Sequence, residues 1–224
     1  MLNPVHLIGP ILKEQGFVRR GNAYFRVHGD GVVQVVRYQR QSDGYYLYMG
    51  LHSMYGELMK QWFTSVGCIP RYEVLLLDGK RFLPDPWERK GLDTNRMQAD
   101  LLRDKGIAFL NGIQAQRELA DAIFSLDGRW NDGMKTAPLL ACGDYENAAL
   151  VLKAIIDQHE AVRQHKQETL SAEDFRQHHE RWEPVTAHFR ELLEMVRRED
   201  PAEIQDWLDR NLAKNRQYAK FCMK

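Results

Sequence analysis

The chain has 224 residues, 44% of them apolar and 28% charged, and its 31 basic and 31 acidic side chains cancel. That length allows one large domain or two small ones, with a core that needs no disulfide or metal staple. Zero net charge argues against general polyanion binding, and no apolar run approaches the roughly 18 residues of a membrane span, the stretch Ala148–Ile156 being broken by Lys153.

Taken in chain order, the N-terminus lacks a basic region followed by an apolar core, so no secretory signal is expected. Cys68, Cys142 and Cys222 lie 74 and 80 residues apart, which is neither a disulfide framework nor a metal-ligand spacing. A reducing cytoplasm is the expected location. Asn3–Gln15 places Val5, Ile8, Ile11 and Leu12 at helical spacing, with Pro4 in the tolerated first turn and Gly16 as the stop.

Short β-rich runs follow, joined by turn dipeptides. Phe17–Arg20 leads through Gly21-Asn22 to Ala23–His28, then Asp30-Gly31 to Val32–Arg40, and Asp43-Gly44 to Tyr45–Leu51. Asp-Gly between alternating runs is a strong hairpin signal, since both central residues of a type I′ turn need positive φ. Two-residue turns at these dipeptides predict Val27 opposite Gln34, Phe25 opposite Val36, Arg40 opposite Leu47 and Tyr38 opposite Met49. One face then collects Phe25, Val27, Val36, Tyr38, Leu47, Met49 and Leu51. The other collects Arg19, Tyr24, Arg26, His28, Arg37, Gln39, Tyr46 and Tyr48, with Val33 and Val35 as its apolar members.

Beyond this meander, Met54–Phe63 reads as a short helix, Tyr72–Leu83 as a hairpin closed by Asp78-Gly79, and Pro84–Trp87 as a loop. Asn95–Asp104 reads as a helix ending at Gly106, and Gln114–Phe124 as another. The segments "EQGFVRRGNAYFRV", "GDGVVQVVRYQRQ" and "LLRDKGIAFLNGI", with the tryptophan loop at Trp87, together resemble a bacterial family of domains of unknown function, the one numbered four-three-zero-four. The resemblance covers about residues 5–125 and rests on turn glycines, aromatics and Gln39. It implies a fold and carries no catalytic residues.

Asp127–Gly133 is turn-rich and marks a boundary. The expected organisation is an α+β domain over 1–126, an antiparallel β-meander sheet packed by helices, followed by an all-helical part over 134–224. In that second part Tyr145–Gln164 carries Ala148, Ala149, Leu152, Ile155, Ile156, His159 and Val162 on one face, with Asp144 as N-cap. "GDYENAALVLKAI" resembles one helix of a tetratricopeptide repeat, without a second copy. Ser171–Arg198 carries Phe175, His178, Trp182, Val185, Phe189, Leu192 and Val196 at alternating spacings of three and four, a packing seam that Pro184 is expected to kink. Pro201 opens a last helix with Ile204, Trp207, Leu208 and Leu212 buried.

Charge is uneven: residues 142–210 carry 9 basic and 16 acidic side chains, and residues 1–56 carry 6 basic and 3 acidic. The acidic helices are therefore candidates to cover the arginine-bearing sheet face. If that face is open, Arg19, Tyr24, Arg26, Arg37, Gln39, Tyr46 and Tyr48 form the candidate binding site, because arginine and tyrosine suit protein or anionic partners. The histidines His159, His165, His178, His179 and His188 lack the spacing of a zinc site, and no nucleophile elbow or phosphate loop occurs. No metal or cofactor is expected. The function expected is a non-catalytic interaction module, adaptor or immunity-like, with a protein partner. An enzyme or nucleic-acid-processing protein working through the Arg/Tyr face is the alternative.

Overall fold

The computed structural model describes residues 4–41, 44–56, 93–125 and 133–223. The expected hairpin over 72–83, the proline loop, the helix beyond Gly56 and most of the boundary at 127–133 lie outside the described residues. Helix α1 (Pro4–Glu14) precedes four strands, β1 (Val18–Arg20), β2 (Ala23–Val27), β3 (Val32–Gln41) and β4 (Gly44–Ser53), which form an antiparallel sheet in sequential order. Helices follow: α2 (Thr94–Leu101), a π-helical turn (Leu102–Gly106), α3 (Ile107–Asn111), α4 (Gln116–Ser125), α5 (Gly133–Ala141), α6 (Tyr145–Thr169), α7 (Ala172–Arg197) and α8 (Pro201–Met223). The fold is α+β, a four-strand meander followed by a mostly helical C-terminal part.

The meander forms as the turn glycines predict, with Gly16, Gly21 and Gly31 all at positive φ. The register of the β2–β3 hairpin differs by one residue from the expected pairing: Val27 lies opposite Val33 and Phe25 opposite Val35. The loop is closed by His28 N–H donating to Val32 O, while Gly31 N–H donates to His28 O and Gly31 takes φ +76°. This is the three-residue loop in which a turn is completed by a left-handed glycine, and it uses the same Asp-Gly dipeptide as a two-residue turn. The extra residue exchanges the two faces of β2 relative to β3. In the β3–β4 hairpin Tyr38 lies opposite Leu47 and Arg40 opposite Tyr45, a shift of two that preserves the faces.

Helices cover both sides of the sheet. Tyr24, Val32, Val36, Leu47, Met49 and Leu51 pack against Ile8 and Leu12 of α1 and against Ala99, Leu102, Leu110 and Leu119. On the reverse side Ala23, Phe25, Val33 and Val35 pack with Met54 and with Leu212 of α8. Asn215 ties α8 down, its Nδ2 donating to Met54 O and Gly56 O, both at 2.7 Å.

Gly106 does not end its helix, contrary to expectation: it is buried, and the chain continues through it into α3. A Cβ there would lie 3.0 Å from Leu102 Cδ1 and 3.2 Å from Met49 Sδ, so glycine serves close helix–sheet approach. Helix α5, containing Pro138, was not anticipated. It buries Thr136, Ala137, Leu139 and Leu140. Asp144 and Ser171 cap α6 and α7 as expected, accepting from Asn147 N–H and Asp174 N–H. Helix α7 continues through Pro184, and the Thr186 hydroxyl donates to Trp182 O at 3.2 Å.

Candidate functional site

The register divides the predicted Arg/Tyr face. Arg19, Tyr24 and Arg26 share the side covered by α1 and α3, whereas Arg37, Gln39, Tyr46 and Tyr48 belong, by backbone pairing, to the side that α8 meets. Arg26 is committed to internal bonds: Nε donates to Gln34 Oε1 at 2.8 Å, Nη1 to Gln15 O at 2.9 Å and Nη2 to Asn111 Oδ1 at 2.7 Å, with Phe17 beneath its guanidinium. Burial lowers its pKa. Gln34, fully buried, in turn donates to Leu110 O and Ile113 O, so the network joins β2 and β3 to the end of α3. Tyr24 is buried and its phenol pKa is raised, burial outweighing the opposing pull of Arg19. Arg37 is buried as well. Arg19 is exposed, and it donates to Gly21 O at 3.0 Å and to the Tyr38 hydroxyl at 3.4 Å. The side chains of Gln39, Tyr46 and Tyr48 lie outside the described residues.

Among the described residues a groove lies elsewhere, between α6 and α7. Asp144 and Ser171 start these long helices, and the 3–4 seam of α7 packs inward at its C-terminal end, where Leu192, Leu193 and Val196 join Leu152 of α6 and Ile204 and Leu208 of α8. Toward the N-terminal end of α7 the same seam opens. Trp182 is 45% exposed, Val185 40% and, across from them on α6, Val162 43%, although periodicity placed all three on buried faces. They border a groove of about 770 Å³, walled also by Phe189, Trp207 and the imidazoles of His159, His178, His179 and His188. That volume lies within the range of small-molecule sites.

Its aromatic wall is ordered by short contacts. His159 meets Trp182 edge-on at 5.8 Å and Phe189 at 5.7 Å, while His178 stacks on Trp182 at 6.1 Å. His159 Nδ1 lies 3.0 Å from Thr186 Oγ1, whose proton is already given to Trp182 O. With that proton committed, the Thr186 oxygen is left to accept from Nδ1. Charge at the rim is paired internally: Arg190 bonds both Glu183, at 2.8 Å, and Glu160, and Arg163 Nε donates to Glu160 Oε2 at 2.8 Å. The Arg163 and Arg190 hydrogen bonds hold the Glu160 carboxyl below its usual range. Two of the lining residues carry a buried polar atom without a partner among the described residues: Thr136, only 2% exposed, at its hydroxyl, and His178 at Nδ1. Among the described residues no three His, Cys, Asp or Glu side chains are grouped to hold a metal ion.

No family model, curated protein or solved structure matches the chain. Among the described residues no helix is long and apolar enough to cross a membrane. The groove is legible in the sequence only in part: periodicity gives the seam of α7 and puts His178 on it, but nothing local shows that the seam opens there. A signal is present in the distribution of histidines, since of the 8 in the chain His159, His165, His178, His179 and His188 all fall on α6 and α7.

Proposed function

We propose that this protein is a non-catalytic binding module of the cytoplasm, an adaptor or immunity-like partner, whose recognition site is the groove between α6 and α7. The observation that carries this reading is an aromatic, apolar concavity whose ionised side chains are bound to one another. Glu160, Glu183, Arg163 and Arg190 are joined in one network. A carboxylate held ionised by two guanidiniums is a poor general acid, because it releases its proton far below neutral pH. The wall it supports offers contact area instead, from Trp and Phe, the residue types that dominate recognition surfaces. Arg26 of the sheet is spent on internal partners and Arg37 is buried, which favours the groove over the sheet face.

The test is differential capture. Full-length wild-type chain and a Trp182→Ala/Val185→Ala variant are immobilised and exposed to a native lysate, and retained proteins and small molecules are identified by mass spectrometry. A set retained by wild type and lost by the variant supports the reading. The same set on both overturns it.

A further inference from the structure

We infer that the α6/α7 groove seats a basic amphipathic helix of a partner protein. This rests on the groove being the recognition site. It is carried by the backbone of the groove walls, by the helix already seated beside it and by charge.

The walls come first. Both are helices, and their backbone N–H and C=O groups along the groove are bonded within their own turns. An extended peptide laid there would bury its backbone polar groups without partners, since strand addition needs an open sheet edge. A helix brings its own backbone bonds and presents only side chains. The groove runs along α7 from His179 to Leu192, about 20 Å at 1.5 Å per residue, which accommodates roughly four helical turns.

The molecule already seats one helix on the same seam. Ile204 and Leu208 of α8 pack with Leu192, Leu193 and Val196 of α7 and with Leu152 of α6. Leu192 and Trp207 belong both to that contact and to the groove, so the groove continues the seat of α8 along the same pair of helices. Further along, the seam keeps its apolar side chains. Trp182 and Val185 on α7 and Val162 on α6 stay 45%, 40% and 43% exposed among the described residues. Trp182 and Val185 are three residues apart, the spacing of neighbours on one helix face. A second helix following α8 along this seam buries them as α8 buries Leu192 and Val196.

Charge selects the kind of helix. Residues 142–210 carry 16 acidic against 9 basic side chains. At the rim Glu160 and Glu183 are balanced by Arg163 and Arg190, so the excess lies on the surrounding turns. That field draws in a cationic partner, and it repels a second copy of this chain docking through the same face. Charge sets which helix arrives, and apolar contact holds it.

The experiment is an anisotropy titration of the full chain against three fluorescein-labelled peptides of about 14 residues, the length that spans the groove. One has leucine and lysine at the spacing of an amphipathic helix. The second has glutamate in place of lysine, and the third alternates leucine and lysine as a strand would. The first is expected to bind saturably, one per chain, with a gain of helical circular dichroism, and at least tenfold more tightly than either of the others. Its association rate should fall severalfold from low to high salt while its dissociation rate changes little. Trp182→Ala should weaken its binding at least tenfold, and Val162→Ser, on the opposite wall, severalfold, with the circular dichroism of the chain unchanged. Leu150→Ala, on the exposed side of α6, should leave it unaltered. Absence of saturable binding, no preference for the lysine helix over the other two, or binding indifferent to both groove substitutions overturns the inference. A dimer of the chain that dissociates on Trp182→Ala in sedimentation also overturns it, because the groove then holds a second copy. If the lysate capture depends on Trp182 while the lysine helix fails to bind, the occupant is wrong and the binding-module reading stands.

Discussion

The sheet and the α6/α7 helix pair use the same kinds of residue to opposite ends. In the sheet, arginine, glutamine and tyrosine are turned inward: Arg26, Gln34, Gln15 and Asn111 form one network, and Tyr24 and Arg37 are buried. In the helix pair, aromatic and imidazole side chains at packing positions stay open, and Trp182 and Val185 continue a seam that is closed only further along α7. Residue type therefore does not separate binding surface from scaffold in this molecule. What separates them is whether a neighbouring element arrives to cover the face. α1 and α8 do so for the sheet, and α8 covers only the C-terminal half of the α7 seam.

The comparison can be broken most forcefully at Gln34. Gln34→Ala removes the donor to two buried carbonyls and the acceptor of Arg26, so unfolding free energy in urea should fall by about 3–5 kcal/mol. Asn215→Ala should cost about 2–3 kcal/mol by the same measurement, because it releases α8 from Met54 O and Gly56 O and leaves those acceptors unsatisfied. A neutral result at either site would mean that the sheet is not held by these bonds.

Acid sharpens the contrast. Burial pulls the His52 imidazole, on the α8 side of β4, down to about 3 from 6.5. Between those values the unfolded chain binds a proton that the folded chain refuses, so stability rises with pH across this window. It is fully present above about 6.5 and is lost as pH falls toward 3, by about 1.4 kcal/mol per unit. Denaturation at pH 5 should therefore give a value about 2 kcal/mol below that at pH 7. His52→Phe, if it folds, should lose that slope. The carboxylates with lowered pKa, Glu118, Asp144, Glu160 and Glu173, act mainly at and below their usual 3.8–4.5 and so contribute little between pH 5 and pH 7.

The order and sense of the strands were legible because glycines at 16, 21 and 31 occupy backbone regions that other residues avoid. The face of β2 was not. A two-residue and a three-residue loop at Asp30-Gly31 use the same dipeptide, and only the closing bond from His28 to Val32 distinguishes them. A strand whose two sides are both covered also carries apolar residues on both, as Tyr24 and Phe25 do, which removes the alternation that would have corrected the error. Gly106 was read as a stop because glycine's backbone preference is local, whereas its role here, contact with Met49, depends on the sheet. Likewise the seam of α7 was visible as periodicity, but the point where it opens depends on where α8 crosses it, which no local pattern encodes. The groove was missed for that reason.

The smallest expected effect tests the central claim most directly. If the groove wall is open surface kept for recognition, Trp182→Ala should lower the unfolding free energy of the full chain by no more than about 1.5 kcal/mol, the order of the ring contacts it gives up with His159 and His178. A loss of about 3–5 kcal/mol, the value for a tryptophan removed from a packed core, would show that Trp182 holds the helices together and would contradict the account.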